Sequence, residues 1–198
     1  VLAVILSLGQ VFAGQYNEVL NIGDPAPAWT DLPGVDGKKH SLSDLATKRV
    51  VVVVFTCNSC PIAVDYEDRI IEFARSKANA DSPVALVAIN VNTIEADRLD
   101  KMQERALVKG FPYPYLYDES QQIARKYGAI FTPEFFVLDQ DRRITYMGGM
   151  DDDSDPEKVT QKFLEPAVEA TLNGKAPDVT ETVARGCRIR YARERRQR

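Results

Sequence analysis

Arg49-Val50-Val51-Val52-Val53-Val54-Phe55-Thr56-Cys57-Asn58-Ser59-Cys60-Pro61 decides how the rest of the chain is read. The run from Val50 to Val54 is too short to span a membrane and too β-branched to favour a helix. It therefore predicts a buried central strand. Beyond the cysteines, Ile62, Tyr66, Ile70, Phe73 and Ala74 recur at helical spacing, so the order is strand, cysteine turn, amphipathic helix. A helix N-terminus offers unpaired N–H groups and partial positive charge, which can lower a thiol pKa from about 8.5 to about 3.5–7.5. Cys57 is expected to be the exposed nucleophile and Cys60, one turn on, the resolving thiol. Pro61 disfavours helical geometry at Cys60 and suits the first helical position, so the helix should begin there. A CxxC is also half of a zinc site, but the remaining candidates, Cys187 and His40, do not stand at ligand-pair spacing. No metal or other cofactor is expected.

A chain of 198 residues, 44% of them hydrophobic, suits one globular domain with a core. Its net charge of −4 argues against a nucleic-acid binder or a membrane-surface protein. Three cysteines, one pair and an odd residue, fit redox chemistry better than a disulfide scaffold. Residues 1–13, from Val1 to Ala13, read as the apolar region of a secretory leader with cleavage after Ala13, the chain starting partway through it. The alternative is an ordinary apolar N-terminal element. On the leader reading the mature protein begins near Gly14, is periplasmic or secreted, and holds no membrane span.

Residues 14–178 are expected to form the domain, and residues 179–198 a C-terminal extension with Cys187 and an arginine-rich tail. Trp29 reads as a core anchor and His40 as a solvated loop or edge residue. Pro83–Asn90 predicts a second buried strand, and Ile94, Leu99, Met102, Ala106 and Leu107 a helix stopping at Gly110. Pro112–Tyr117 suits an edge strand, and Ser120–Tyr127 a brief helix. Glu134–Leu138 and Ile144–Met147 flank a turn and predict a hairpin. Val159, Phe163, Leu164, Val168 and Leu172 predict a last helix ending near Gly174. The element order implies a mixed central sheet with helices on both faces.

If the hairpin runs antiparallel to the cysteine strand, the start of its first strand and the end of its second share the sheet edge where that strand ends. Cys57, Thr132, Pro133 and the Gly148-Gly149 pair should then gather there, with Thr132, Pro133 and Gly149 lining a substrate groove. A cis proline in that place would remove a donor and open neighbouring backbone to a thiol or peptide partner. Glu134 is the carboxylate nominated by position for proton management.

The motifs Gly23-Asp-Pro-Ala-Pro27, Phe55-Thr-Cys-Asn-Ser-Cys-Pro61, Gly110-Phe-Pro-Tyr-Pro-Tyr-Leu-Tyr-Asp118, Thr132-Pro-Glu-Phe-Phe-Val-Leu-Asp139 and Gly186-Cys-Arg-Ile-Arg-Tyr191 together are specific. From about Gly23 to Tyr191 the chain resembles the thioredoxin-fold superfamily. Within it, the likeness is to the peroxiredoxin-like alkyl hydroperoxide reductase/thiol-specific antioxidant branch with a CxxC. The resemblance implies an α/β fold, a thioredoxin-like three-layer α/β/α sandwich with a mixed central sheet. It also implies a cis Pro133 and a redox role for Cys57 and Cys60. Two positions depart from relatives: Val51 stands where thioredoxins hold a buried acid, and Ala63 where extracytoplasmic reductases often have Glu.

Three functions compete. A thiol–disulfide oxidoreductase would use Cys57 and Cys60 against a thiol or disulfide protein, or a small thiol. A peroxidase would oxidise Cys57 with peroxide and resolve it with Cys60, although the Pro-x-x-x-Thr-x-x-Cys pattern is absent. A copper-binding thiol protein is the third, opposed by the narrow spacing and the lack of a histidine after residue 40. Cys187, flanked by arginines, is either a third redox thiol, an intermolecular pairing site or a packed structural cysteine. The acidic run Asp151 to Asp155 reads as a solvated loop with a helix N-cap at Ser154 or Asp155, since it lacks the glycine and terminal glutamate of a calcium loop.

Overall fold

The computed structural model describes residues 14–193. The leader expected at residues 1–13 and the arginine-rich end at 194–198 lie outside the described residues. A ribbon of β1 (Leu32–Pro33) and β2 (Lys39–His40) leads into β3 (Val50–Phe55) and the 17-residue helix α1 (Pro61–Lys77). Next come β4 (Val84–Asn90), α2 (Leu99–Lys109), β5 (Tyr115–Tyr117) and α3 (Gln122–Tyr127). The chain continues through β6 (Phe131–Thr132), β7 (Glu134–Leu138), β8 (Ile144–Gly148), α4 (Leu164–Leu172) and β9 (Cys187–Arg188).

The main sheet has the order β5-β4-β3-β7-β8, so the valine strand lies in the middle. β4 and β5 run parallel to their neighbours; β7 and β8 are antiparallel. Successive side chains of a strand point to opposite faces. Val50, Val52 and Val54 accordingly pack with Tyr66, Ile70 and Phe73 of α1 and Leu164 and Val168 of α4. Val51, Val53 and Phe55 face the other way, onto Trp29 and onto Ile123 and Tyr127 of α3. Both faces are covered, which is why the strand has no polar alternation. Phe55, Tyr127 and Phe136 meet edge-to-face, with ring centroids 5.1–5.7 Å apart.

Two helices are shorter than their apolar spacing suggests. Ile94 lies outside α2, separated from it by a 3₁₀ turn at Glu95–Asp97 and an extended Arg98 (ψ 159°). Leu107, expected to help define that helix, is 85% exposed. α4 begins only at Leu164, leaving Val159 outside. Pro166 explains this start: it fits the first helical turn, but its ring would clash with a helical carbonyl four residues earlier. The segment from residue 179 folds back onto the domain, Met147 exchanging backbone bonds of 3.0 Å with Thr180 and Thr182. No helix among the described residues is long and apolar enough to cross a membrane.

Candidate active site

β3 releases the chain at Thr56, whose N–H donates to the Ile89 carbonyl at 3.0 Å. The next residues turn into α1, and Cys60 is the N-cap of that helix, with Pro61 in its first turn. Cys60 is extended (φ −89°, ψ 114°), and its sulfur accepts the Ala63 N–H at 3.3 Å. The helix terminus thus serves the second cysteine directly.

Thr132, joined to Pro133 by a cis peptide bond, stands against both sulfurs. The Thr132 hydroxyl lies 3.4 Å from Cys57 Sγ, and as a thiol Cys60 donates to the Thr132 carbonyl at 3.2 Å. β9 pairs antiparallel with β6, placing Cys187 opposite Thr132. From there the Cys187 N–H donates to Cys60 Sγ at 3.3 Å. This approach requires Gly186: a Cβ there would lie 2.0 Å from the Thr132 carbonyl oxygen, a backbone atom that cannot swing away.

All three cysteines are free thiols, and they form one small apolar cluster with Ala63 and Ile62. The expectation of an exposed Cys57 needs correction. Cys57 is 3% exposed and Cys60 2%, whereas Cys187 is half-buried. The β9 segment lies against Cys60 and Thr132 against Cys57, long-range contacts that the local pattern around Cys57 does not encode. The hydrogen bond between the pair, with Cys57 as donor, is the largest influence on both. It holds Cys60 down at about 5, helped by contacts from Cys187 and the Ala63 N–H, against a burial that opposes ionisation. The same bond, together with burial, pushes Cys57 well above the ordinary thiol range.

A family model described as Redoxin matches residues 21–164. The chain belongs to the Redoxin family. Among the curated relatives of this redoxin, "Putative peroxiredoxin Rv2521" of Mycobacterium tuberculosis is 28% identical over 141 residues, 63% of this chain and 82% of that protein. The crystal structure of an uncharacterized conserved protein from Geobacillus kaustophilus aligns with a TM-score of 0.82 and 29% identity, over 90% of this chain and 96% of that one. A hypothetical protein from Sinorhizobium meliloti 1021 gives 0.80 and 30%, over 89% and 97%. A thioredoxin-family thiol:disulfide interchange protein from Chlorobium tepidum TLS shares the fold at a TM-score of 0.60 and 20% identity, over 76% and 97%. The redoxin therefore has a thioredoxin-like α/β fold with a mixed five-stranded sheet.

The remaining nominated residues lie at different removes from the sulfurs. Glu134 is buried beside the proline, and one of its oxygens accepts the Ile130 and Phe131 N–H groups at 2.7 and 2.9 Å. Burial pushes its carboxyl up to about 7 against those two donors. Gly149 follows β8, two strands from β3, and its N–H donates to the Thr182 hydroxyl at 3.0 Å. Its neighbour Gly148 lines a small cavity with Phe131, Glu134 and residues 181–184. The acidic run divides. Asp155 does cap a turn, a 3₁₀ helix at Pro156–Lys158, but Asp151 is buried against Arg69 and the Tyr66 hydroxyl instead of being solvated.

Asp97 was not foreseen. This buried carboxylate accepts the Asn58 and Ser59 N–H groups at 2.7 and 3.0 Å and the Ser59 hydroxyl at 2.6 Å. It therefore fixes both residues between the cysteines, and its charge adds to the upward push on Cys57. The only signal for it in sequence is the Asn58-Ser59 pair itself, which needs an acceptor but does not say where one comes from.

Proposed function

We propose that this redoxin is a thiol–disulfide oxidoreductase whose redox couple is the Cys57–Cys60 dithiol and disulfide. The observation that carries the reading is the placement of Cys60. It caps a 17-residue helix, accepts N–H groups from Ala63 and Cys187, and packs with Cys57 and against the Thr132 carbonyl. Those donors favour a thiolate at neutral pH, the form that performs disulfide exchange. In one turnover the two thiols become one disulfide, and the partner disulfide receives two electrons and two protons. The partner class is a thiol or disulfide protein, or a small thiol. The N-terminal leader reading assigns the protein to the periplasm or the exterior, where disulfides persist.

The peroxidase reading keeps one support, the peroxiredoxin name of the Mycobacterium tuberculosis relative at 28% identity. In that case a peroxide would oxidise one thiol to sulfenic acid, and the second would condense with it, releasing water. The two readings separate in parallel assays of insulin reduction and hydrogen peroxide consumption. The expected result is insulin reduction that is lost in Cys60→Ser and falls in Cys57→Ser. Insulin reduction that survives Cys57→Ser unchanged defeats the dithiol mechanism. Cysteine-dependent peroxide consumption faster than insulin reduction puts the peroxidase first.

A further inference from the structure

We infer that Cys187 is the thiol through which the buried pair exchanges disulfides with its partner, β9 acting as a built-in stand-in for a partner peptide. The inference rests on the redox reading of Cys57 and Cys60 and adds the route by which electrons leave them. Three observations converge on it.

The first is access. Cys57 and Cys60 are almost fully enclosed, while Cys187 reaches the surface. A partner protein disulfide meets Cys187 before it can meet the pair. The second is strand pairing. The backbone beside the cysteines at Phe131–Thr132 is the one an extended partner segment would join by main-chain bonds. That backbone is already paired with Cys187–Arg188 in antiparallel register, so a partner cannot dock there while β9 is in place. The third is contact. The Cys187 N–H is 3.3 Å from Cys60 Sγ, and the Cys187 side chain packs into the cluster of the other two thiols. Both ends of the exchange therefore sit at the first turn of α1.

The route balances as three exchanges. Cys187 thiolate attacks one sulfur of the partner disulfide, whose other sulfur leaves as a thiolate and takes up a proton. Cys60 thiolate attacks the Cys187 sulfur, releasing the partner's second thiolate, which is likewise protonated, and forming Cys60–Cys187. Cys57, passing its proton to Cys187, attacks Cys60; Cys187 leaves and Cys57–Cys60 remains. Two electrons have moved from the buried pair to the partner, and Cys187 is restored. An external dithiol reductant resets the couple by the reverse exchanges. The Thr132 hydroxyl, 3.4 Å from Cys57 Sγ, stabilises that sulfur whenever it is a thiolate.

The test compares two single-thiol proteins, Cys57→Ser/Cys60→Ser and Cys60→Ser/Cys187→Ser, each mixed with insulin as the disulfide probe. The Cys187-only protein is expected to form the mixed disulfide at least about ten-fold faster, its access outweighing the partial burial that raises its proton affinity. In Cys57→Ser treated with diamide, tryptic mapping should join residues 50–69 to residues 186–188 through Cys60–Cys187. Faster capture by the Cys57-only protein, or no such crosslink in Cys57→Ser, overturns the inference while leaving Cys57–Cys60 as the couple. Cys187→Ser supplies the second readout: diamide should still form Cys57–Cys60, but insulin reduction should slow about ten-fold. Insulin reduction at the wild-type rate in that variant also overturns the route. A wild-type protein in which diamide forms no intramolecular disulfide removes the redox reading itself, and this route with it.

Discussion

Cys60 holds the lower proton affinity of the pair because its sulfur collects donors: the Cys57 thiol first, then Cys187 and the Ala63 N–H. Its value of about 5 against the ordinary 9.0 has a definite sign in stability. A depressed folded-state value contributes stability fully present above 9.0 and lost as pH falls through about 5. The raised Cys57 acts oppositely, its contribution being present below 9.0 and lost at higher pH. The reduced protein should therefore gain stability mainly between pH 7 and pH 9, since the raised Glu134 carboxyl offsets the thiol below about 7, and the gain should be absent from Cys60→Ser. Absorbance at 240 nm, which reports thiolate, should show one equivalent titrating near pH 5. Persistence of that thiolate in Cys60→Ser would place the charge on another sulfur. Asp97 supplies a second test at this scale. Asp97→Ala leaves the Asn58 and Ser59 N–H groups without their acceptor, at about 1–3 kcal/mol for each buried group left unpaired. It also removes the negative charge that raises Cys57, so Cys57 should ionise more easily. Urea unfolding and thiol titration on one protein check both effects, and a loss below about 1 kcal/mol would show that water replaces the carboxylate.

β6 and β7 turn around Glu134, whose carboxylate bonds the Ile130 and Phe131 N–H groups and so shapes the approach to Thr132. Its folded value of about 7 lies above the ordinary 4.5, so burial favours the protonated form. The resulting stability is present below pH 4.5 and lost as pH rises through about 7. Glu134→Gln keeps a carbonyl oxygen for both N–H groups and removes the titration. In a Cys60→Ser background, which silences the opposing thiol, its advantage in Tm over Glu134 should grow from pH 4.5 to 7 and then level off. A pH-independent difference would mean that Glu134 is already solvated. How much of this was legible follows from how far each contact reaches along the chain. The valine strand, the start of α1 at Pro61, the hairpin and the cis Pro133 are legible because local periodicity, proline position or the family motif encodes them. Asp97 binds a loop 38 and 39 residues away, and Cys187 binds Cys60 across 127 residues, so neither leaves a mark in its own neighbourhood. For the same reason the burial of Cys57 is not legible locally: its hydroxyl neighbour Thr132 stands 75 residues further on.

Across the whole molecule α1 is the spine to which the other parts are tied. Its first turn meets the three sulfurs; its middle meets the loop after β8, and Glu67 meets Arg105 of α2. Arg69 is the main tie to that loop, donating to Asp151 at 2.5 Å and to the carbonyls of Asp153 and Ser154 at 3.0 and 2.6 Å. Asp151 is 5% exposed, and without the guanidinium it would keep only the Tyr66 hydroxyl at 2.8 Å. Breaking such a buried pair from one side costs about 3–5 kcal/mol, because the surviving charge stays desolvated. By contrast Lys77, at the end of the same helix, meets Glu169 of α4 as an exposed pair worth about 0–1 kcal/mol. Urea unfolding should therefore separate Arg69→Ala from Lys77→Ala by about 2–5 kcal/mol. The α-helical rise of 1.5 Å per residue puts Arg69 about 13 Å along the axis from Cys60, more than the screening length of about 8 Å at physiological salt. Arg69→Ala should thus lower stability without moving the thiolate titration near pH 5. If the thiol titration shifts with it, the loop after β8 and the sulfur cluster form one cooperative unit, and α1 transmits strain along its length to the site.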